Sequence, residues 1–160
     1  MIAEIVAVPE GFTATFVFHY KHSVDRVWAM LTQNELLKEW FSELRVKDLR
    51  TGGIIEFDMQ DGTFLELGIT GFERNSILEY IWGEDKVRFE LLPEREGCRL
   101  QLIETMGKIT EHTAKDLSGW HVCLEVIAAL LDGKPFGNRK RVWENRYEVY
   151  SALVDKYYHS

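Results

Sequence analysis

The sequence predicts an α+β protein: a curved antiparallel β-sheet wrapped around one long helix, with an extra helix at the C-terminus. Three observations carry this reading. Between residues 44 and 106 apolar side chains recur with a period of two, interrupted by short turn signals. Between residues 113 and 131 the period changes to 3.6. The chain of 160 residues carries 5 Trp, 6 Tyr and 9 Phe but only 3 Pro, a ring content suited to enclosing something large and apolar.

The elements follow in order. Residues 13–20 read as a strand, with Phe12, Ala14, Phe16, Phe18 and Tyr20 on one face. Ser23 caps a short helix carrying Val24, Val27, Trp28 and Leu31. Thr32 and Glu35 have capping-box spacing and open a second short helix through Leu36, Leu37, Trp40 and Phe41. Residues 44–49 form a weak strand, and Gly52-Gly53 turns it. Ile55, Phe57 and Met59 alternate with Glu56, Asp58 and Gln60, and Asp61-Gly62 marks a hairpin. Leu65, Leu67 and Ile69 share the next face; Arg74-Asn75 turns the chain. Leu78, Tyr80 and Trp82, then Val87, Phe89 and Leu91, then Leu100, Leu102 and Met106 continue the alternation. Connections this short make an antiparallel meander. Thr113 caps the long helix, with Asp116 at the capping-box position and Leu117, Trp120, Leu124, Ile127 and Leu131 as its stripe. Gly133 and Pro135 stop it. Asn138 begins a last helix, with a stripe of Trp143, Tyr147, Tyr150, Val154 and Tyr157 that is expected to pack on its own chain, giving a monomer.

Composition narrows the function. The net charge is −7, from 26 acidic and 19 basic residues, which disfavours a nucleic-acid partner. The basic run Arg139-Lys140-Arg141, with Arg146 beyond it, reads as a solvated face. Cys98 and Cys123 form no metal or redox motif and read as buried thiols of a reducing compartment. The N-terminal stretch lacks the pattern of a secretory leader, and no apolar run is long enough for membrane insertion. A cytoplasmic location is expected.

The search for reactive groups yields little. No phosphate-binding loop, nucleophile elbow or zinc-protease motif is present, so no catalytic residue, metal or cofactor is assigned. His19 and His22 stand three apart without a third ligand and read as an exposed structural pair; His112 and His159 carry no assignment. His121 is either a polar contact in a cavity or a side chain bonded at the helix edge. Glu104 lies on an apolar strand face and needs a partner, His121, Arg99 or His19. Gly119, inside a helix, leaves room either for a ligand or for close approach of the sheet.

Several segments together resemble one family. They are Glu35-Leu36-Leu37-Lys38-Glu39-Trp40-Phe41, Asp48-Leu49-Arg50-Thr51-Gly52-Gly53, Glu79-Tyr80-Ile81-Trp82, Phe89-Glu90-Leu91, and Ser118-Gly119-Trp120-His121-Val122-Cys123-Leu124 through Leu131-Asp132-Gly133. In this order and spacing, over about residues 13–133, the chain resembles the START-like (SRPBCC) helix-grip superfamily. Within it the chain is similar to the homologues of the activator of a heat-shock chaperone ATPase. Similar proteins often carry Pro-Pro where this chain has Arg74-Asn75, a loop change. The resemblance implies one helix-grip domain over 1–160, with 138–158 as an added helix and a cavity between sheet and long helix.

In that fold the elements bearing Trp40, Phe41, Phe57, Met59, Ile69, Tyr80, Trp82, Phe89, Trp120, His121 and Leu124 meet, and these are the candidate ligand-binding residues. Tyr80 and His121 are the candidate orienting polar groups. The rings either line a cavity or fill it as a close-packed core. The leading expectation is a binding protein for a hydrophobic small molecule, ring-containing or lipid-like. The resemblance alone motivates a second, a chaperone co-factor. A third is a cyclase or hydrolase using His121 or Glu104.

Overall fold

A computed structural model describes residues 1–158; His159 lies outside them. The described residues form β1 (Glu4–Val8), β2 (Gly11–Tyr20), α1 (Val24–Thr32), α2 (Asn34–Trp40), β3 (Leu44–Asp48), β4 (Ile54–Asp58), β5 (Phe64–Glu73), β6 (Ile77–Trp82), β7 (Asp85–Glu94), β8 (Gly97–Met106), α3 (Thr113–Leu131) and α4 (Arg139–Tyr158). The strands make one antiparallel sheet in the order β1-β2-β8-β7-β6-β5-β4-β3. This is the helix-grip α+β fold: the meander β3 to β8 runs across the sheet, β2 closes on β8, and α1 and α2 carry the chain from β2 to the far edge.

Two register shifts help to curve the sheet, between Val46 and Asp48 and between Ile69 and Gly71. At the turn before β4, Gly53 packs so tightly that a Cβ there would lie 2.0 Å from the Asp48 carbonyl oxygen, so only glycine fits.

The alternating faces meet α3 as the periodicity requires. Phe16, Leu100, Leu102, Val87, Phe89, Leu78 and Tyr80 are buried on the inner face. Leu117, Trp120, Leu124, Ile127 and Leu131 are buried on α3. Val122 and Val126 are buried as well, because α4 packs on α3. Tyr150 and Val154 are the buried anchors of α4, and the Tyr157 ring meets Phe12 edge-on at 5.8 Å. The last helix therefore packs in cis.

Three local expectations need correction. The strand β1 was not foreseen, because a five-residue edge strand with the burial of Ile5 as its main inward mark leaves little alternation to read. Thr32 does not cap α2: its hydroxyl donates to the Trp28 carbonyl at 2.8 Å, and Gln33 is the N-cap without a side-chain bond. Asn34 fixes this helix instead, exchanging hydrogen bonds with the backbone of Val46. Thr113 is the first residue of α3 rather than its cap; His112 takes that position, and the Thr113 hydroxyl accepts from the Thr110 amide. Ser23 does cap as expected, accepting from the Arg26 amide, and Asn138 stands just before α4, accepting from the Arg141 amide.

Candidate functional site

Where the sheet opens toward the N-terminal end of α3, the aromatic side chains converge. Trp82 is central. Its ring centroid lies 5.0 Å from Trp120, 5.7 Å from Phe41 and 5.8 Å from Phe57. Trp120 in turn meets Phe41 at 5.6 Å and Phe89 at 5.9 Å. These tilted and edge-to-face contacts suit the ring quadrupole. The Trp82 Nε1 donates to Asp116 Oδ1 at 2.9 Å, so Asp116 anchors the indole to α3 instead of capping the helix.

The rings pack against one another, and Trp40 borders neither of the two openings beside them. Open space lies on either side of the Trp82–Asp116 pair. One cavity of about 420 Å³ has an apolar wall of Phe57, Met59, Leu65, Leu67, Trp82 and Met106. Its polar end carries Glu84, Asp85 and Asp116, with Lys108 and His112 also lining it. A second, of about 380 Å³, is bounded by Phe41, Trp82, Asp116, Gly119, Trp120, Cys123 and Arg139, among others. Trp82 and Asp116 belong to both walls and form the partition.

The candidate residues therefore divide. Phe57, Met59 and Trp82 line the first cavity, and Phe41, Trp82 and Trp120 the second. Trp40, Ile69, Tyr80, Phe89 and Leu124 line neither and are buried in the core. The Trp40 Nε1 donates to the Met30 carbonyl at 2.7 Å, tying α2 to α1. Tyr80 stacks beside Phe89, and burial pushes its phenol far above the usual range, so it stays neutral. It is a core residue, not an orienting contact of either cavity.

His121 is displaced further. It is buried on the side of α3 that faces β2 and α4, between Phe16, Phe18 and Tyr150. Its Nε2 faces Glu125 Oε1 at 3.2 Å and its Nδ1 lies 2.7 Å from the Tyr150 hydroxyl. Nε2 therefore carries the proton and Nδ1 accepts from the hydroxyl. That same hydroxyl accepts from the Ala3 amide at 3.0 Å, and Arg146 grips Glu125 with two bonds of 2.7 and 2.9 Å. Burial holds the imidazole down to about 4, against the opposing pull of the Glu125 carboxylate. The network ties α3, α4 and the N-terminal segment together, and Glu125 rather than Glu104 is the acid beside His121.

Glu104 has none of the partners expected for it. It is fully buried and accepts no hydrogen bond among the described residues; the group it meets is another acid, Asp116, to which its protonated carboxyl donates. His19 pairs with Glu94 at 2.8 Å instead. Burial first, then the neighbouring Asp116 and Asp85, hold the Glu104 carboxyl well above the usual range. Burial also raises Asp85.

Other assignments resolve by geometry. His22 bonds Asp132 at 2.7 Å, linking the start of α1 to the end of α3. Among the described residues no group of three or more His, Cys, Asp or Glu is arranged to hold a metal ion. No helix among them is long and apolar enough to cross a membrane. The basic run is not wholly solvated: Arg139 donates to the Trp40 carbonyl at 2.9 Å, and Arg146 is held by Glu125. Both cysteines are buried and free, and burial pushes Cys123 up to about 12. A Cβ on Gly119 would meet nothing within 4 Å, so this glycine borders open space rather than a close sheet contact.

Leu65 and Leu67 were legible as one strand face; Asp85, Asp116, Lys108 and His112 carried no signal beyond turn or cap positions. A curved antiparallel sheet gripping one long helix, with apolar space left between them, defines a protein of the START-like helix-grip class. More narrowly, the chain belongs to the family described as Activator of Hsp90 ATPase homolog 1-like protein, whose model matches residues 21–132. The solved structure of EF2215 from Enterococcus faecalis, a conserved protein of unknown function, is similar at a TM-score of 0.79 and 20% identity, covering 94% of this chain and 91% of that one. CalU16 from Micromonospora echinospora is similar at 0.73 and 23%, covering 96% and 99%. DynU16, from the dynemicin biosynthetic locus, is similar at 0.65 and 23%, covering 77% of this chain and 48% of that one. At these identities the likeness is one of fold. No curated protein matches the sequence.

Proposed function

We propose that this protein binds a small apolar molecule, ring-containing or lipid-like, in the cavity between the β4–β5 hairpin and the start of α3. One observation carries the reading: a cavity of about 420 Å³ walled by Phe57, Met59, Leu65, Leu67, Trp82 and Met106, with a few charged groups at one end. Small-molecule sites are typically concave, mostly apolar and roughly 300–1,000 Å³ in volume. Large side chains at the mouth favour an occupant too, since Met59 and Leu65 are 43% and 51% exposed. A bound apolar molecule removes that surface from water, at about 25 cal/mol per Å².

The chemistry offered is burial and stacking, with orientation from the polar end. The test is a screen of apolar ring compounds and fatty acids against the isotope-labelled protein, followed by amide and indole chemical shifts. Binding is expected to move the signals of Phe57, Leu67 and Trp82, with saturation. Shifts confined to the outer face of the sheet or to α4 would overturn the reading.

A further inference from the structure

The opening of about 380 Å³ on the far side of Trp82 and Asp116 has no part in the reading above. Lys115, Gly119 and Cys123 line it at four-residue steps along α3, and so share one face of that helix. Glycine weakens a helix interior relative to alanine, yet a Cβ on Gly119 would meet nothing within 4 Å. The missing side chain therefore leaves space rather than a close contact. Phe41, Trp82 and Trp120 form the aromatic wall of that space. Arg139, the first residue of α4, borders it as well. Its Nη2 donates to the Trp40 carbonyl at 2.9 Å and lies 3.6 Å from the Cys123 sulfur. The guanidinium is thus fixed in place by a carbonyl and a thiol, not by an acid. Burial pushes that thiol up to about 12, so it stays protonated and leaves the charge uncompensated. Neither Arg139 nor Lys115 forms an ion pair among the described residues.

A second observation points the same way. Trp120 lines this opening and not the first, and its Nε1 is buried without an acceptor among the described residues. Buried polar groups in folded proteins are nearly always satisfied. An indole N–H and a guanidinium can only donate, so what both lack is an acceptor. The acids at this opening are otherwise engaged. Asp116 accepts from the Trp82 indole and meets Glu104, and Glu43 accepts from the Ser42 hydroxyl. A carboxylate offers two oxygens in the plane that a guanidinium fork matches, and a compensating charge. An ammonium brings donors to donors. A hydroxyl brings one weaker acceptor and no charge.

We propose that this second opening is a binding site for a small aryl carboxylate, its carboxylate at Arg139 and Lys115 and its ring over Gly119 against Phe41, Trp82 and Trp120. The site is separate from the cavity between the β4–β5 hairpin and α3, and it stands or falls independently of that reading. The aromatic wall holds the body of the acid, and the fixed guanidinium selects its head group.

Three probes sharing one ring system test it: naphthoic acid, naphthylmethanol and naphthylmethylamine. Each is titrated into the isotope-labelled protein near neutral pH, and affinity is read from the Gly119 and Cys123 amide signals and the Trp120 indole signal. Those signals report this opening, whereas Phe57 and Leu67 report the other. The acid is expected to move the Gly119, Cys123 and Trp120 signals with saturation, at least about tenfold more tightly than the alcohol or the amine. In Arg139→Gln the acid-to-alcohol ratio is expected to fall toward one. Gly119→Leu fills the opening and is expected to abolish the Cys123 and Trp120 responses while leaving any response at Phe57 and Leu67. If the alcohol or the amine matches the acid at these signals, or the ratio survives Arg139→Gln, the carboxylate assignment is overturned. If the acid moves only Phe57 and Leu67, the second site is overturned and the first cavity is supported. If no probe moves the Gly119 or Trp120 signals, the second site falls. Should a variant not fold, the wild-type series decides alone.

Discussion

Replacing Glu104 by Gln isolates the energetic consequence of a buried acid whose neighbours are acids. In the unfolded chain a glutamic acid titrates at about 4.3. In the folded protein its carboxyl is held well above that, first by burial and then by Asp116 and Asp85. For an acid with a raised folded value, the stabilising contribution is complete below the unfolded value. It is lost as pH rises toward the folded one, because the unfolded state gives up its proton first. The loss proceeds at up to about 1.4 kcal/mol per pH unit. Gln keeps the shape and does not titrate. It leaves a buried amide, which adds an offset independent of pH. The difference in unfolding free energy between variant and wild type cancels the other groups to first order. It is expected to move in favour of Glu104→Gln as pH rises from about 4.5 to 7.5. Urea unfolding followed by tryptophan fluorescence measures it. A difference flat to within about 0.5 kcal/mol across that range would refute the reasoning.

Three further outcomes are expected. His121, held down to about 4 by burial, gives the opposite sign. Its neutral form is stabilising above about 6.5, and up to roughly 3 kcal/mol is lost as pH falls from there toward 4. In His121→Gln that acid sensitivity is expected to flatten, read as urea midpoints at acid and neutral pH; an unchanged profile would refute it. Tyr150→Phe removes the hydroxyl that accepts from the Ala3 amide and bonds His121, at an expected cost of about 1–3 kcal/mol. Hydrogen exchange at Ala3 should accelerate, and full protection there would count against the network. Gly119→Ala is expected to raise stability by up to about 1 kcal/mol, since the added methyl meets open space and the helix gains propensity; a lowered thermal midpoint would contradict it.

Much of the fold was legible because its signals are local. Alternation along β4 to β8 and the 3.6 period of α3 state which side chains face inward, and the inner faces are buried accordingly. Gly133 ends α3 with a φ of 67°, a conformation that glycine adopts without strain. Family membership was legible in the ordered segments from Glu35 to Gly133, most of which the family model spans. The capping boxes misled for the same reason that the strands succeeded. Spacing shows that a hydroxyl is available, but the Thr32 hydroxyl found the Trp28 carbonyl, and Asp116 found an indole from a distant strand.

Sequence patterning set the inward faces of Phe57 and Trp82, and the family resemblance implied that they meet Phe41 and Trp120 around one interior. Whether such rings enclose space or fill it depends on side chains brought together from several elements, and a void has no period. Only the packed chain shows that the rings close on one another and that the space lies to either side of Trp82 and Asp116. Only the packed chain gives His121 to Tyr150, from helix faces that meet because α4 folds back on α3; Glu125, four residues on in α3, is a partner that helical spacing alone allows. Glu104 illustrates the same division of labour. Its place on an apolar strand face was plain in the sequence, and that a buried carboxyl needs a partner is general chemistry. That its partner is another acid, Asp116, with Asp85 near by, follows from tertiary packing that no local pattern encodes.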